Sequence, residues 1–164
     1  MPAPAGAQSN HARLSAATAA RSGLSCELVL TDGVPLHEPE YRRNGNLVFD
    51  DLLGATVHRL SGDADPIAFA RHRADELKRG GRRAFVVGAG GSTPLGCLGY
   101  VACAAELLRL ERMMGLRVGS IVTPNGSSGT HAGLVAGLIA AGDTASGTRS
   151  FAVMGPAEDA ECVT

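Results

Sequence analysis

Asn125-Gly126-Ser127-Ser128-Gly129-Thr130-His131-Ala132-Gly133 stands between a short apolar run at 118–123 and a helical pattern at 134–141. A strand, a turn of small residues and a helix start gather several free backbone N–H groups around one point. Small side chains let an anion approach, the hydroxyls of Ser127, Ser128 and Thr130 add donors, and the helix dipole favours negative charge there. In physical terms Gly126, Ser127, Ser128, Gly129 and Thr130 form a phosphate cradle. The competing reading is a plain βα turn, rich in Gly and Ser because turns are. No Lys follows the glycines, so the loop is not a Walker A. Nor does it have dinucleotide G-x-G-x-x-G spacing with an acidic residue some twenty positions on.

Outward from this loop the chain alternates. Ser9 or Asn10 is placed to cap a helix over 11–22 that Gly23 closes. A strand is expected at 26–30, a loop at 31–43, a helix at 46–53 stopped by Gly54, and a strand at 56–60. Asp65 caps the next helix and Pro66 starts it, with Ile67, Ala70, Ala74 and Leu77 as its apolar stripe. Arg71-His72-Arg73 reads as a solvated face of that helix. A further strand is expected at 84–87. A long helix follows at 95–114 with Leu98, Val101, Ala105 and Leu108 on its packed side, closed by Gly115. The strand at 118–123, a helix at 130–141 and a last strand at 151–154 complete the pattern. Short apolar strands alternating with helices mean an α/β fold with parallel sheets flanked by helices.

Composition narrows the function classes. The 164 residues carry 15 Lys+Arg against 16 Asp+Glu, a formal net charge of -1, so no charge excess argues for nucleic acid or a membrane surface. With 4 Phe, 2 Tyr and no Trp, base-stacking platforms are not expected. Cys26, Cys97, Cys103 and Cys162 lack metal-ligand spacing and read as small buried hydrophobes in a reducing compartment. No metal site is expected. No apolar run reaches about eighteen residues, and the expectation is a soluble, cytoplasmic protein.

Four ordered segments carry a resemblance. They are Gly6-Ala7-Gln8-Ser9-Asn10-His11-Ala12-Arg13; Asn44-Gly45-Asn46-Leu47 with Leu53-Gly54-Ala55; Gly90-Gly91-Ser92-Thr93-Pro94-Leu95-Gly96-Cys97-Leu98-Gly99-Tyr100-Val101; and the Gly-Ser loop with Gly129-Thr130-His131-Ala132-Gly133. Together they resemble the family of D-cysteine desulfhydrase, L-cysteate sulfo-lyase and 1-aminocyclopropane-1-carboxylate deaminase, pyridoxal-phosphate enzymes of the tryptophan-synthase β fold. The resemblance implies two α/β lobes, 1–88 as a small-lobe-like segment and 89–164 as part of a large lobe. It implies pyridoxal 5'-phosphate as cofactor, with Gly126, Ser127, Ser128, Gly129 and Thr130 on its phosphate and Asn10 on its phenolic oxygen. Ser9 matches the serine that faces the substrate and serves as nucleophile or proton carrier. From the residues alone, Ser9 and Asn10 are helix caps, a role compatible with holding a carboxylate. His11 stands where the deaminases carry Gln, which is closer to the desulfhydrase and sulfo-lyase side. A small amino-acid substrate and a dimer are implied as well.

The resemblance also sets expectations about what these residues lack. The family's Schiff-base lysine precedes the Gln8-Ser9-Asn10 segment, and its ring-nitrogen partner and C-terminal tyrosine lie beyond Thr164. The one lysine of the sequence, Lys78, falls in the last turn of the helix that carries the Ile67–Leu77 stripe and is expected to face water. Met1-Pro2-Ala3-Pro4 is expected to replace most of the family's strand before Ser9. Two outcomes stay open: part of a lyase, or a catalytically silent fragment that binds phosphate or the cofactor without turnover.

Overall fold

The computed structural model describes residues 2–32, 38–143 and 146–152, and the chain divides into two compact units, Met1–Ala89 and Gly90–Thr164. In the first unit, β1 (Pro2–Gly6), β2 (Glu27–Thr31) and β3 (Thr56–Leu60) form a parallel sheet in the order β1-β2-β3. Register pairs Leu28 with Ala3 on one side and with Val57 on the other. The central strand is buried on both faces, as a parallel sheet covered by helices requires. Leu28 and Leu30 pack with Ala12, Ala16 and Ala19 of α1 (Asn10–Arg21) and with Leu47 of α3 (Asn46–Leu52). On α4 (Pro66–Arg79) the expected stripe is the packed side: Ala70, Ala74 and Leu77 are buried and Ile67 is half-buried.

Pro2-Ala3-Pro4 does not displace the first strand, contrary to expectation, since Pro2–Gly6 pairs with β2 throughout. An edge strand needs donors on one side only and so tolerates proline. The 31–43 segment, expected as a loop, contains a one-turn helix, α2 (Pro39–Arg42), begun by Pro39 at a position where its fixed φ suits a helix. Residues 84–87 are not a strand. The apolar run has no ladder partner among the described residues; Val87 packs on the first core, whereas Phe85 is 69% exposed.

In the second unit, β4 (Ser120–Asn125) and β5 (Gly147–Ala152) pair in parallel, and α5 (Pro94–Met114) packs on α6 (Gly129–Ala140). The expected last strand begins earlier, at Gly147, while Val153, Met154 and Cys162 lie outside the described residues. Ala104, Leu134 and Leu138 form the small core, joined by Cys103, Leu107, Leu108 and Ile121. The packed side of α5 is rotated from the expected one. Leu98 and Ala105 are exposed, whereas Cys97, Val101, Ala104, Leu108 and Glu111 are buried or half-buried. Closeness of approach, rather than side-chain size, selects this face: Gly137 lies against Val101 and Ala104. Cys26 is buried as expected, and Cys97 and Cys103 are half-buried.

Candidate functional site

Helix ends place the candidate residues. Of the helices with twelve or more residues, three begin under a side-chain cap. Ser9 accepts from Ala12 N–H at 3.2 Å, Asp65 accepts from Ile67 and Ala68 N–H at 2.9 and 3.0 Å, and Thr93 accepts from Gly96 N–H at 3.1 Å. At α6 no side chain caps the helix. Its first ladder bond runs from Ala132 N–H to the Ser128 carbonyl at 2.9 Å, so the N–H groups of Gly129, Thr130 and His131 precede the ladder. Ser128 has φ 63 and ψ -8 and is the one non-glycine with positive φ among the described residues. Such a turn points consecutive N–H groups to one side.

The loop is held from behind. Ser92 Oγ donates to Ser127 Oγ at 2.7 Å, tying the turn before α5 to the loop before α6. Gly90 adopts φ 63, and a Cβ there would run into Ser127 Oγ. A Cβ on Gly129 would overlap Ser92 Oγ and stand 3.0 Å from Ser92 Cβ. Neither position has room for a side chain. Among the described residues Thr123 Oγ1, Asn125 Oδ1 and His131 Nδ1 are buried and find no hydrogen-bond partner, whereas Gly126, Ser127 and Ser128 are exposed. The donor set, the missing cap and the open front suit a phosphate monoester.

In the first unit, Ser9 spends one acceptor on its cap bond, and its hydroxyl proton is still available to donate. Asn10 Oδ1 accepts from Asn46 Nδ2 at 3.0 Å. Three residues without an assigned role in the sequence reading converge here. Arg13 Nε donates to Asn46 Oδ1 at 2.8 Å, Asn46 Nδ2 donates to the Gln8 carbonyl at 2.8 Å, and Asn46 N–H donates to Gln8 Oε1 at 2.9 Å. Gln8 Nε2 donates to the Tyr41 and Asn44 carbonyls at 2.6 and 2.8 Å. The two carboxamide-rich motifs, Gln8-Ser9-Asn10 and Asn44-Gly45-Asn46, were the signal that could have paired them.

Arg73 corrects the reading of Arg71-His72-Arg73 as a solvated face. Its guanidinium lies 2.8 Å from Glu27 Oε2, and that carboxylate also meets His58 Nε2 at 2.8 Å. The hydrogen bond from Arg73 holds the Glu27 carboxyl below its ordinary pKa against the opposing effect of burial. Lys78 lies apart from this network, 56% exposed, with Nζ 3.4 Å from Asp75 Oδ1.

An α/β chain with parallel sheets and an uncapped helix behind a Gly-Ser loop matches known folds closely. Against a threonine deaminase from T.th. the TM-score is 0.62 at 20% identity, covering 91% of this chain and 44% of that one. Against the apo diaminopropionate ammonia lyase of Escherichia coli it is 0.66 at 17% identity, covering 93% and 40%. The architecture is that of fold type II pyridoxal-phosphate enzymes.

The family model described as pyridoxal-phosphate dependent enzyme matches residues 4–163, and the chain belongs to that family. It is 42% identical over 131 residues to the D-cysteine desulfhydrase of Serratia proteamaculans (strain 568), covering 80% of this chain and 40% of that protein. Identity to the D-cysteine desulfhydrase of Salmonella typhi is 40% over 132 residues, with the same coverage. The chain thus spans about two fifths of the length of the curated relatives it matches. Among the described residues, no helix is long and apolar enough to cross a membrane.

Proposed function

We propose that these residues are part of a pyridoxal-phosphate-dependent lyase or deaminase acting on a small amino acid, of D-cysteine desulfhydrase or L-cysteate sulfo-lyase type. Residues 1–88 supply the small-lobe part and 89–164 part of the large lobe. When bound, the cofactor supplies an electron sink for charge developing at the substrate carbon. The N–H groups of Gly129 and Thr130, with the hydroxyls of Ser127, Ser128 and Thr130, hold its phosphate. Asn10 hydrogen-bonds the phenolic oxygen. Ser9 faces the substrate and carries a proton, its cap bond to Ala12 fixing the rotamer. The reading includes a homodimer, which the resemblance implies, and a cytoplasmic location, which the sequence leads one to expect.

The observation that supports the phosphate assignment is the start of α6, where Ser128 makes no side-chain cap bond and the N–H groups of Gly129, Thr130 and His131 precede the ladder, next to exposed Gly126, Ser127 and Ser128. A second reading, binding without turnover by these 164 residues, is favoured by Lys78. The sequence's one lysine is exposed at the end of α4 and paired to Asp75. Absorbance spectra of the purified chain titrated with pyridoxal phosphate, with inorganic phosphate as competitor, test the binding common to both. The expected result is a saturable shift of the cofactor band that phosphate reverses. A spectrum identical to that of free cofactor at every protein concentration would overturn the assignment.

A further inference from the structure

We propose that Asn46 is a positioning residue that sets which end of the Asn10 carboxamide faces outward, under the control of Arg13. The inference rests on the reading of Asn10 as the partner of the phenolic oxygen. Its warrant is the polarity of the hydrogen-bond chain. A guanidinium has donors and no acceptor, so the Asn46 atom 2.8 Å from Arg13 Nε must be the oxygen. The other end of Asn46 is then the amide nitrogen. Its two hydrogens go to the Gln8 carbonyl at 2.8 Å and to Asn10 at 3.0 Å. The Asn10 atom that accepts must in turn be its oxygen. Its Nδ2 therefore points away from Asn46 as a donor and has no partner among the described residues. An outward N–H is what a phenolate oxygen requires, and an outward carbonyl would repel it.

The rest of the network keeps the relay in register. Gln8 faces two carbonyls with its nitrogen and the Asn46 N–H with its oxygen, so its own orientation is fixed too. Every bond in the series Arg13–Asn46–Asn10 runs in one direction from an obligate donor, and reversing one member reverses those downstream.

Asn46→Asp makes that reversal with almost no change in shape. An aspartate only accepts, so it keeps the Arg13 bond, gives up the bond to the Gln8 carbonyl and draws Asn10 Nδ2 inward, leaving Asn10 Oδ1 outward. The probe is 4'-deoxypyridoxine 5'-phosphate, which carries the phenolic oxygen and phosphate but no aldehyde, so no lysine is needed. In the full chain, Asn46→Asp should weaken probe binding about tenfold or more, the scale of a hydrogen bond to a charged acceptor. Affinity for inorganic phosphate should stay within about twofold of wild type on the same reasoning, since none of the relay residues belongs to the loop assigned to the phosphate. In an Asn10→Ala background the same substitution should change probe affinity by less than about twofold, because its effect runs through Asn10.

Arg13→Met, which frees Asn46 to turn, should also weaken the probe and serves as the deciding variant if Asn46→Asp does not fold. Equal probe affinity in wild type and the folded variant, or an equal loss in the Asn10→Ala background, overturns the relay. Absence of probe binding by the wild-type chain overturns instead the cofactor reading on which the relay rests.

Discussion

The 2.7 Å hydrogen bond from Ser92 Oγ to Ser127 Oγ joins two glycine turns that neither sequence distance nor a shared strand would bring together. Gly90 faces Ser127 and Gly129 faces Ser92, so each glycine leaves the space that the other turn's serine occupies. Gly129→Val forces Ser92 aside and moves the first N–H groups of α6 off their common target. Phosphate and pyridoxal phosphate affinity should fall by at least about tenfold, while far-UV circular dichroism stays close to wild type. Unchanged affinity in a folded Gly129→Val chain would refute residues 126–130 as the cradle.

The same approach of backbones governs the interior of the second unit. A Cβ on Gly137 would meet Ala104 Cβ at 2.6 Å and the Val101 carbonyl at 2.9 Å. Gly137→Leu should therefore lower stability by about 1–3 kcal/mol through overpacking, despite leucine's better helix propensity. Gly99, on the same helix pair but with nothing within 4 Å of an added Cβ, should respond in the opposite sense. Gly99→Ala should raise stability by about 0.5–1 kcal/mol, the ordinary cost of glycine inside a helix. Urea melts of both variants check the pair, and a loss at Gly99 equal to that at Gly137 would show that space is not the deciding factor.

Two buried carboxylates give opposite pH dependences. Glu27 is held below its ordinary value, chiefly by its hydrogen bond from Arg73, so its contribution is present above the unfolded glutamate pKa of about 4.3. That contribution is lost as pH falls through the lower folded value. Asp50 is fully buried, its carboxylate oxygens have no hydrogen-bond partner among the described residues, and burial raises its pKa despite the attraction of Arg13. Its contribution is complete below the unfolded aspartate pKa of about 3.9 and is lost as pH rises through the raised value. Glu27→Gln should then cost about 1–3 kcal/mol at neutral pH, with the deficit shrinking on acidification. Asp50→Asn should gain on wild type as pH rises above the unfolded aspartate value of about 3.9. Chemical denaturation as a function of pH measures both slopes, and parallel curves for wild type and Asp50→Asn would mean that Asp50 is ordinary.

Local chemistry accounts for what could be seen in the chain beforehand. Asp65-Pro66 marks the start of α4, the stripe through Ala70, Ala74 and Leu77 marks its packed side, and Gly115 marks the end of α5 at φ 65. Relations between distant segments were not visible. An apolar run such as 84–87 is a strand only if another segment supplies a ladder, and none of the described residues does. The packed face of α5 depends on where α6 carries glycine, since both candidate faces are apolar. Arg73 sits among charges on a helix surface, and only the fold brings Glu27, 46 positions away, beneath it. The carboxamide relay spans Asn10 and Asn46, 36 positions apart, and its direction is set by Arg13, whose partner no pattern announces. The resemblance marked both motifs without saying that one orients the other.

Lys78 carries the last prediction. A lysine that holds this cofactor supplies covalent activation and moves a proton at the substrate carbon, and each contribution is worth roughly orders of magnitude in rate. Among residues 1–164 the one lysine is Lys78, exposed, paired at 3.4 Å with Asp75, in the last turn of α4 where a cation complements the helix dipole. Freeing it by unwinding that turn would come at the expense of Leu77, which is buried beside it. The 164-residue polypeptide should therefore bind phosphate and cofactor yet release no sulfide from D-cysteine or L-cysteate above the rate of free pyridoxal phosphate. Borohydride treatment followed by peptide mapping should find no reduced adduct on Lys78 beyond that formed on an unrelated exposed lysine. An adduct on Lys78 together with sulfide release abolished by Lys78→Arg would show that the end of α4 opens and that this lysine does the chemistry.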